Sequence, residues 1–245
     1  MMMVLVIVLI LSNCSVHTGN KVALEQNLGE NEALFQISSF NVFFEGNYDG
    51  NMTLSELEKQ GDFGLGAMDQ LDGELIGLEG EFYQIKLDGH AYPVSSQMTT
   101  PYAIVTFFET DESLAIEKGP VKYSTLKKSL DNLILNKTHF YAIRIDGEFE
   151  SVKIRSVPAQ KKPYRRLTKI VKREQKIQEI EGVKGTMVGF WFPRYICGIN
   201  IPGYHFHFIT EDRKRGGHLL DCRLMRGEVR IDHISRLRLE LQAVD

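Results

Sequence analysis

The sequence predicts an α/β protein: two domains built on mostly antiparallel or mixed β-sheets, with a few helices. Three observations carry that expectation. Short segments rich in Val, Ile, Phe and Tyr recur between Gly- and Asp-containing turns, which is hairpin patterning. Helical periodicity is confined to a few stretches, above all Ser124 to Leu135. Val157 to Leu167 (VPAQKKPYRRL) carries two prolines and several basic residues with little apolar content, and so reads as a linker that divides two sheets. The expected boundaries are a leader over residues 1–21, an N-terminal sheet domain over 35–158, and a β-rich domain over 159–245.

Taken in order, the apolar run from Met1 to Leu11 is too short to span a bilayer but has the length of a signal-peptide core. No Lys or Arg precedes it, so a buried strand or a mis-assigned start stays open. Leu11-Ser12-Asn13-Cys14 resembles a bacterial lipobox, which would place a lipid anchor on Cys14. A genuine leader implies export or attachment to the cell envelope; otherwise the chain stays in the cytoplasm. Ala33 to Glu45 reads as a strand and Tyr48-Asp49-Gly50 as a turn. Thr53 to Glu56 has capping-box spacing for a short helix that stops by Gly61. Glu74 to Val94 is a hairpin series broken at Glu79-Gly80 and Asp88-Gly89.

Tyr102 to Glu109 is a further strand, followed by the amphipathic helix over Ser124 to Leu135. His139 to Ile145 and Glu148 to Ile154 read as a hairpin around Asp146-Gly147. After the linker a polar helix is expected over Thr168 to Ile180, then strands in GTMVGFWFP, YICGINI, YHFHFIT, GHLLDCRL, EVRIDHI and LRLELQ. No internal repeat or sustained heptad is present. The net charge of −3 argues against a binder dominated by phosphate contacts, so no nucleic-acid partner is expected. The three cysteines leave one without an intrachain partner if two pair; Cys197 and Cys222 read as two buried thiols, without the spacing of a cysteine zinc site.

Three of the seven histidines lie between Ile201 and Asp221. In a strand, His205 and His207 project to one side with Cα atoms ~7 Å apart, while Phe206 and Phe208 project to the other. If Thr210 to Gly216 closes a hairpin, one register sets His218 opposite His207 at ~5 Å; a bulge at Gly216-Gly217 would shift it by one. Three neutral imidazoles on one face suit a divalent ion, and His₃ with open positions is the pattern of a catalytic zinc site. Zinc is the default, with iron, manganese and nickel as alternatives. The plainer alternative is a pair of half-exposed strand histidines and an unrelated third. His17, His90, His139 and His233 have no metal-like spacing.

Four ordered motifs carry a resemblance: GDFGLGAMDQLDGELIGLEGEFYQ (Gly61 to Gln84), IRSVPAQKKPYRRL (Ile154 to Leu167), GTMVGFWFP (Gly185 to Pro193) and PGYHFHFITEDRKRGGHLLDC (Pro202 to Cys222). Together they resemble the alpha-acetolactate decarboxylase family from about Phe35 to Gln242. The resemblance implies a zinc-dependent homodimeric lyase that converts (S)-2-acetolactate to (R)-acetoin and carbon dioxide. It implies His205, His207 and His218 as metal ligands, with Arg155 and Glu74 as active-site residues. Two departures stand out. The family's C-terminal tail glutamate has no match before Asp245, and Ala67 stands where family members often have Thr. The missing tail glutamate keeps open a metal-binding relative without catalysis, and the open coordination of a His₃ site keeps open a zinc-dependent hydrolase.

Overall fold

Two β-sheets share an apolar layer in a computed structural model of the chain, which describes residues 33–242. The expected leader, with Cys14, lies outside the described residues, and so do the residues after Gln242. The first sheet has seven strands in the order β15-β1-β8-β3-β4-β5-β6. They are β1 (Ala33–Ile37), β3 (Phe63–Ala67), β4 (Glu74–Leu78), β5 (Glu81–Ile85), β6 (Ala91–Pro93), β8 (Tyr102–Thr106) and β15 (Arg236–Glu240). All pairings are antiparallel except that of β1 with β15, so the sheet is mixed. The two-residue strands β2 (Met52–Thr53) and β7 (Thr99–Thr100) form a small separate ribbon.

The second sheet has six strands: β9 (Glu112–Ile116), β10 (Val121–Lys122), β11 (Phe140–Ser156), β12 (Lys176–Phe192), β13 (Gly203–Thr210) and β14 (Gly216–Ile234). It curls until β14 pairs with both β11 and β13, closing a ring through β12. Side chains alternate across the curled strands. Tyr141, Ile143 and Ile145 of β11 join Phe206 and Phe208 of β13 in the core of the curl. Phe140 and Ala142, with Val188 and Phe190 of β12, instead face the layer shared with Leu65, Ile76 and Ile104 of the first sheet. Phe206 and Phe208 are fully buried, worth about 2–3 kcal/mol each in area removed from water.

Helices are short: α1 (Phe40–Glu45), α2 (Leu54–Leu57), α3 (Tyr123–Leu133) and α4 (Leu167–Glu174). The capping box at Thr53 is present, with Thr53 accepting from the Glu56 N–H and Glu56 accepting from the Thr53 N–H. The strand expected over Ala33 to Glu45 is half helix. Ser39 caps α1 by accepting from the Val42 N–H, and Gly46 ends it at φ +114, a conformation glycine tolerates best. The aromatic residues of FNVFFE favour a strand by propensity, and the caps override them.

The hairpin expected at Asp146-Gly147 is absent, since β11 runs straight through it. Gly147 pairs with Gly185 and Gly227 on either side, and a Cβ there would meet Leu224 Cδ1 at 2.6 Å and Arg226 O at 2.7 Å. Asp146 spends its carboxylate on Arg144, Arg230 and Thr186 rather than on a turn. Register shifts just after Glu148 absorb the distortion as bulges. In the same way GHLLDCRL and EVRIDHI merge into β14. YICGINI is not a strand but a 3₁₀ turn and loop, which leaves Cys197 exposed rather than buried; Cys222 is buried, and both are free thiols.

The sheets do not divide at the expected linker. The strands flanking Val157 to Leu167, β11 and β12, are hydrogen-bonded neighbours, and β15 crosses back to pair with β1. Among the described residues no helix is long and apolar enough to cross a membrane.

One buried acid sets a stability test. Asp232 on β14 accepts from the Glu109 N–H at 3.3 Å, and burial, with Asp111, Glu109 and Asp62 nearby, pushes its carboxyl up to about 7. The folded state therefore holds a proton that the unfolded chain releases near pH 4, so stability falls as pH rises from about 4 to about 7 and is level above. Asp232→Asn removes that slope. Thermal unfolding should show the variant more stable than the parent at pH 8, by at most about 4 kcal/mol, with the difference vanishing toward pH 4.

Candidate active site

The hairpin between β13 and β14 places His218 directly opposite His207, in the unshifted register. His205 lies two residues before His207 on the same face, and the three ring centroids are 4.9–5.3 Å apart. On its other side His218 is the cross-strand partner of Arg155 on β11. The closing of the curled sheet thus brings Arg155 and the three histidines together from three strands. Phe206 and Phe208 point away into the curl, forming an apolar backing.

The first sheet completes the cluster. Glu74 opens β4, almost fully buried, and its Oε1 lies 3.2 Å from Arg155 Nη1. Its other oxygen is 3.6 Å from His207 Nε2. The next residue, Leu75, offers its carbonyl oxygen 2.9 Å from His207 Nδ1. That carbonyl can only accept, so Nδ1 carries the proton and Nε2 faces the site with its lone pair free.

Burial dominates the electrostatics. It pulls the His205 imidazole down to about 3, with the Arg155 charge adding to the effect. The same loss of hydration holds His207 and His218 well below the ordinary imidazole range, reinforced by Arg155 and the neighbouring rings. All three are neutral at physiological pH, the state a metal ligand needs. Glu74 is pushed up by burial, and Arg155 partly offsets that rise.

The donor set fits a divalent cation. One ligand nitrogen from each histidine lies within 4.8 Å of the others. His205 Nδ1 is buried and meets no hydrogen-bond partner among the described residues. Two more ring nitrogens, His205 Nε2 and His218 Nδ1, face each other at 3.2 Å. Neutral imidazoles packed this way leave buried lone pairs uncompensated, a cost that a shared cation removes.

The cluster lines a pocket of ≈ 60 Å³ between the sheets. Its polar residues are Glu74, Arg155 and the three histidines; Phe40, Phe43, Tyr102, Val157, Leu167 and Ile201 supply most of the apolar wall. Ala67, opposite Glu74 in the β3–β4 ladder, also lines it with a methyl group. The stretch read as a linker contributes to this wall at both ends. Sequence reasoning missed Tyr102, Ile201 and the α1 phenylalanines, which carry no spacing signal because three separate segments bring them together.

A family model for alpha-acetolactate decarboxylase matches residues 34–245. The alpha-acetolactate decarboxylase of Methanosarcina mazei is 47% identical over 212 residues, covering 86% of this chain and 73% of the relative. That of Bacillus subtilis strain 168 is 41% identical over 208 residues, covering 85% and 81%. The crystal structure of the Bacillus subtilis strain 168 enzyme superposes with a TM-score of 0.84 at 40% identity, covering 86% of this chain and 90% of that one. A Staphylococcus aureus protein of unknown function, described as similar to alpha-acetolactate decarboxylase, superposes with a TM-score of 0.82 at 27% identity, covering 85% and 89%. With its sheet architecture and its histidine cluster in place, the chain belongs to the alpha-acetolactate decarboxylase family.

Proposed function

We propose that this protein decarboxylates (S)-2-acetolactate to (R)-acetoin and carbon dioxide, with zinc as its resident ion. The observation that carries the proposal is the convergence of three neutral imidazoles, one guanidinium and one buried carboxyl on a single pocket. Family membership points the same way. Acetolactate carries a ketone beside the carbon that bears its hydroxyl and carboxylate. When the bond to the carboxylate breaks, its electron pair moves into the ketone and leaves an enediolate, which must then take one proton at carbon.

His205, His207 and His218 would hold the cation, with the Leu75 carbonyl fixing the His207 tautomer. Bound there, a divalent ion supplies Lewis-acid polarisation of the substrate's oxygens, an effect worth several kcal/mol in the transition state. Arg155 binds the carboxylate or the developing oxyanion through its planar fork, which Lys cannot copy. Glu74, whose carboxyl burial pushes up while Arg155 beside it partly offsets that rise, takes the role of proton donor to one face of the carbon. The apolar wall of Phe40, Phe43, Tyr102 and Ile201 keeps bulk water from competing for that step.

The decisive assay supplies racemic acetolactate to the zinc-loaded protein and reads acetoin by chiral chromatography, with His205→Ala alongside. One enantiomer that disappears in the variant is expected; no enzyme-dependent acetoin from folded, metal-loaded protein would shift the reading to a metal-binding relative without catalysis. Glu74→Gln should keep its metal content while slowing turnover or eroding product chirality; unchanged rate and chirality would reject the role given to Glu74. Arg155→Lys should lower kcat/KM by roughly 10²-fold, the usual loss for one oxyanion-stabilising donor, and steady-state kinetics would measure it.

A further inference from the structure

Away from the reacting groups, two fully buried side-chain amides meet beneath the pocket's apolar wall. Asn200 Nδ2 donates to Gln36 Oε1 at 2.8 Å, and both residues are essentially inaccessible to solvent. Gln36 Nε2 donates to the carbonyls of Ser38 and Ile199, both at 2.7 Å. Asn200 Oδ1 accepts from the Tyr102 hydroxyl at 3.1 Å and from the Ile201 N–H at 2.7 Å. The Phe40 and Asn41 N–H groups donate to the carbonyls of Ile199 and Gly198. The pair therefore joins β1, the start of α1, the β8 tyrosine and the loop that leads into β13.

Those same segments carry Phe40, Phe43, Tyr102 and Ile201 into the pocket. Phe43 stacks on the Tyr102 ring at 5.1 Å, and Phe40 meets it edge-on at 5.8 Å. The Tyr102 hydroxyl is spent on Asn200, so only its ring faces the site. Burying two amides costs free energy unless every donor and acceptor is paired, and a fully paired set in a low-dielectric interior tolerates little displacement. Such a junction ties together the segments that carry Phe40, Phe43, Tyr102 and Ile201.

We propose that the Gln36–Asn200 pair positions this wall and thereby sets the size of alkyl group accepted on a 2-hydroxy-3-oxo acid. The inference rests on the proposed decarboxylation: the substrate's oxygens go to the histidines, Arg155 and Glu74, which leaves its alkyl groups to the apolar side. Gln36 and Asn200 touch no substrate and act through the residues they hold.

The test compares kcat/KM for acetolactate with that for its homologue carrying ethyl in place of the 2-methyl group, in the zinc-loaded parent, Asn200→Ala and Tyr102→Phe. One methylene in a fitted apolar pocket is worth roughly tenfold or more in discrimination. Both variants should shift the substrate ratio toward the ethyl homologue, by roughly threefold or more for Asn200→Ala, and should raise KM for acetolactate more than they lower kcat. A merely structural role lowers both substrates by the same factor, and an unchanged ratio would overturn the proposal. If Asn200→Ala does not fold, Tyr102→Phe decides, because it keeps the ring and removes only the bond to Asn200. A parent that makes no acetoin refutes the decarboxylase reading and this one with it, whereas an active parent with unmoved ratios refutes this one alone.

Discussion

Everything at the site depends on His218 pairing in two directions at once, with Arg155 on β11 and with His207 on β13. A strand in an open sheet has two neighbours, but those neighbours are not usually brought round to share one pocket. Here the sheet curls through β12 until β14 closes it, so residues 155, 207 and 218 become adjacent although no local sequence pattern links the first to the others. The glycines that allow the curl are part of the same constraint. A Cβ at Gly189 would meet Phe206 Cδ1 at 2.1 Å, and one at Gly217 would meet the Arg155 carbonyl at 2.7 Å. Side chains at those positions would push apart the strands that deliver the histidines and Arg155.

The second sheet alone supplies the imidazoles and the guanidinium; the first supplies the acid and the carbonyl that orients His207. This division has an energetic logic. A carboxyl as buried as Glu74 is hard to keep charged, and Arg155 beside it eases that cost across the gap between sheets. The apolar layer around the cluster excludes water, which strengthens each polar contact within it and penalises any left unpaired. A site divided in this way is also a sensor of how well the two sheets are seated against each other.

The legibility of the sequence varied with the range of the interactions involved. Alternation, a short polar loop and three histidines favoured the β13–β14 register that forms, while Gly216-Gly217 left a shift by one residue open. The capping box at Thr53 and the hairpins at Glu79-Gly80 and Asp88-Gly89 were equally local. Asp146-Gly147 misled because turn chemistry and a glycine in a crowded ladder look the same in one dimension. Ser39 was a helix cap hidden before a run of strand-forming aromatics. Glu74 and Arg155 entered only through family resemblance, since their meeting spans 81 residues and leaves no periodic trace. Gln36 and Asn200 escaped notice altogether, because a buried amide is recognisable only once its partner is known.

The parallel pairing of β1 with β15 has a consequence for the order of events during synthesis. β8, the neighbour on one side of β1, emerges from the ribosome within roughly 70 residues of it, whereas β15 follows roughly 200 residues behind, which at typical translation speeds is about 10–40 s. Throughout that interval one flank of β1 presents unsatisfied backbone groups to any strand that encounters it. A first sheet built before β15 emerges would be open along one side, and that side is where a chaperone would have most to protect.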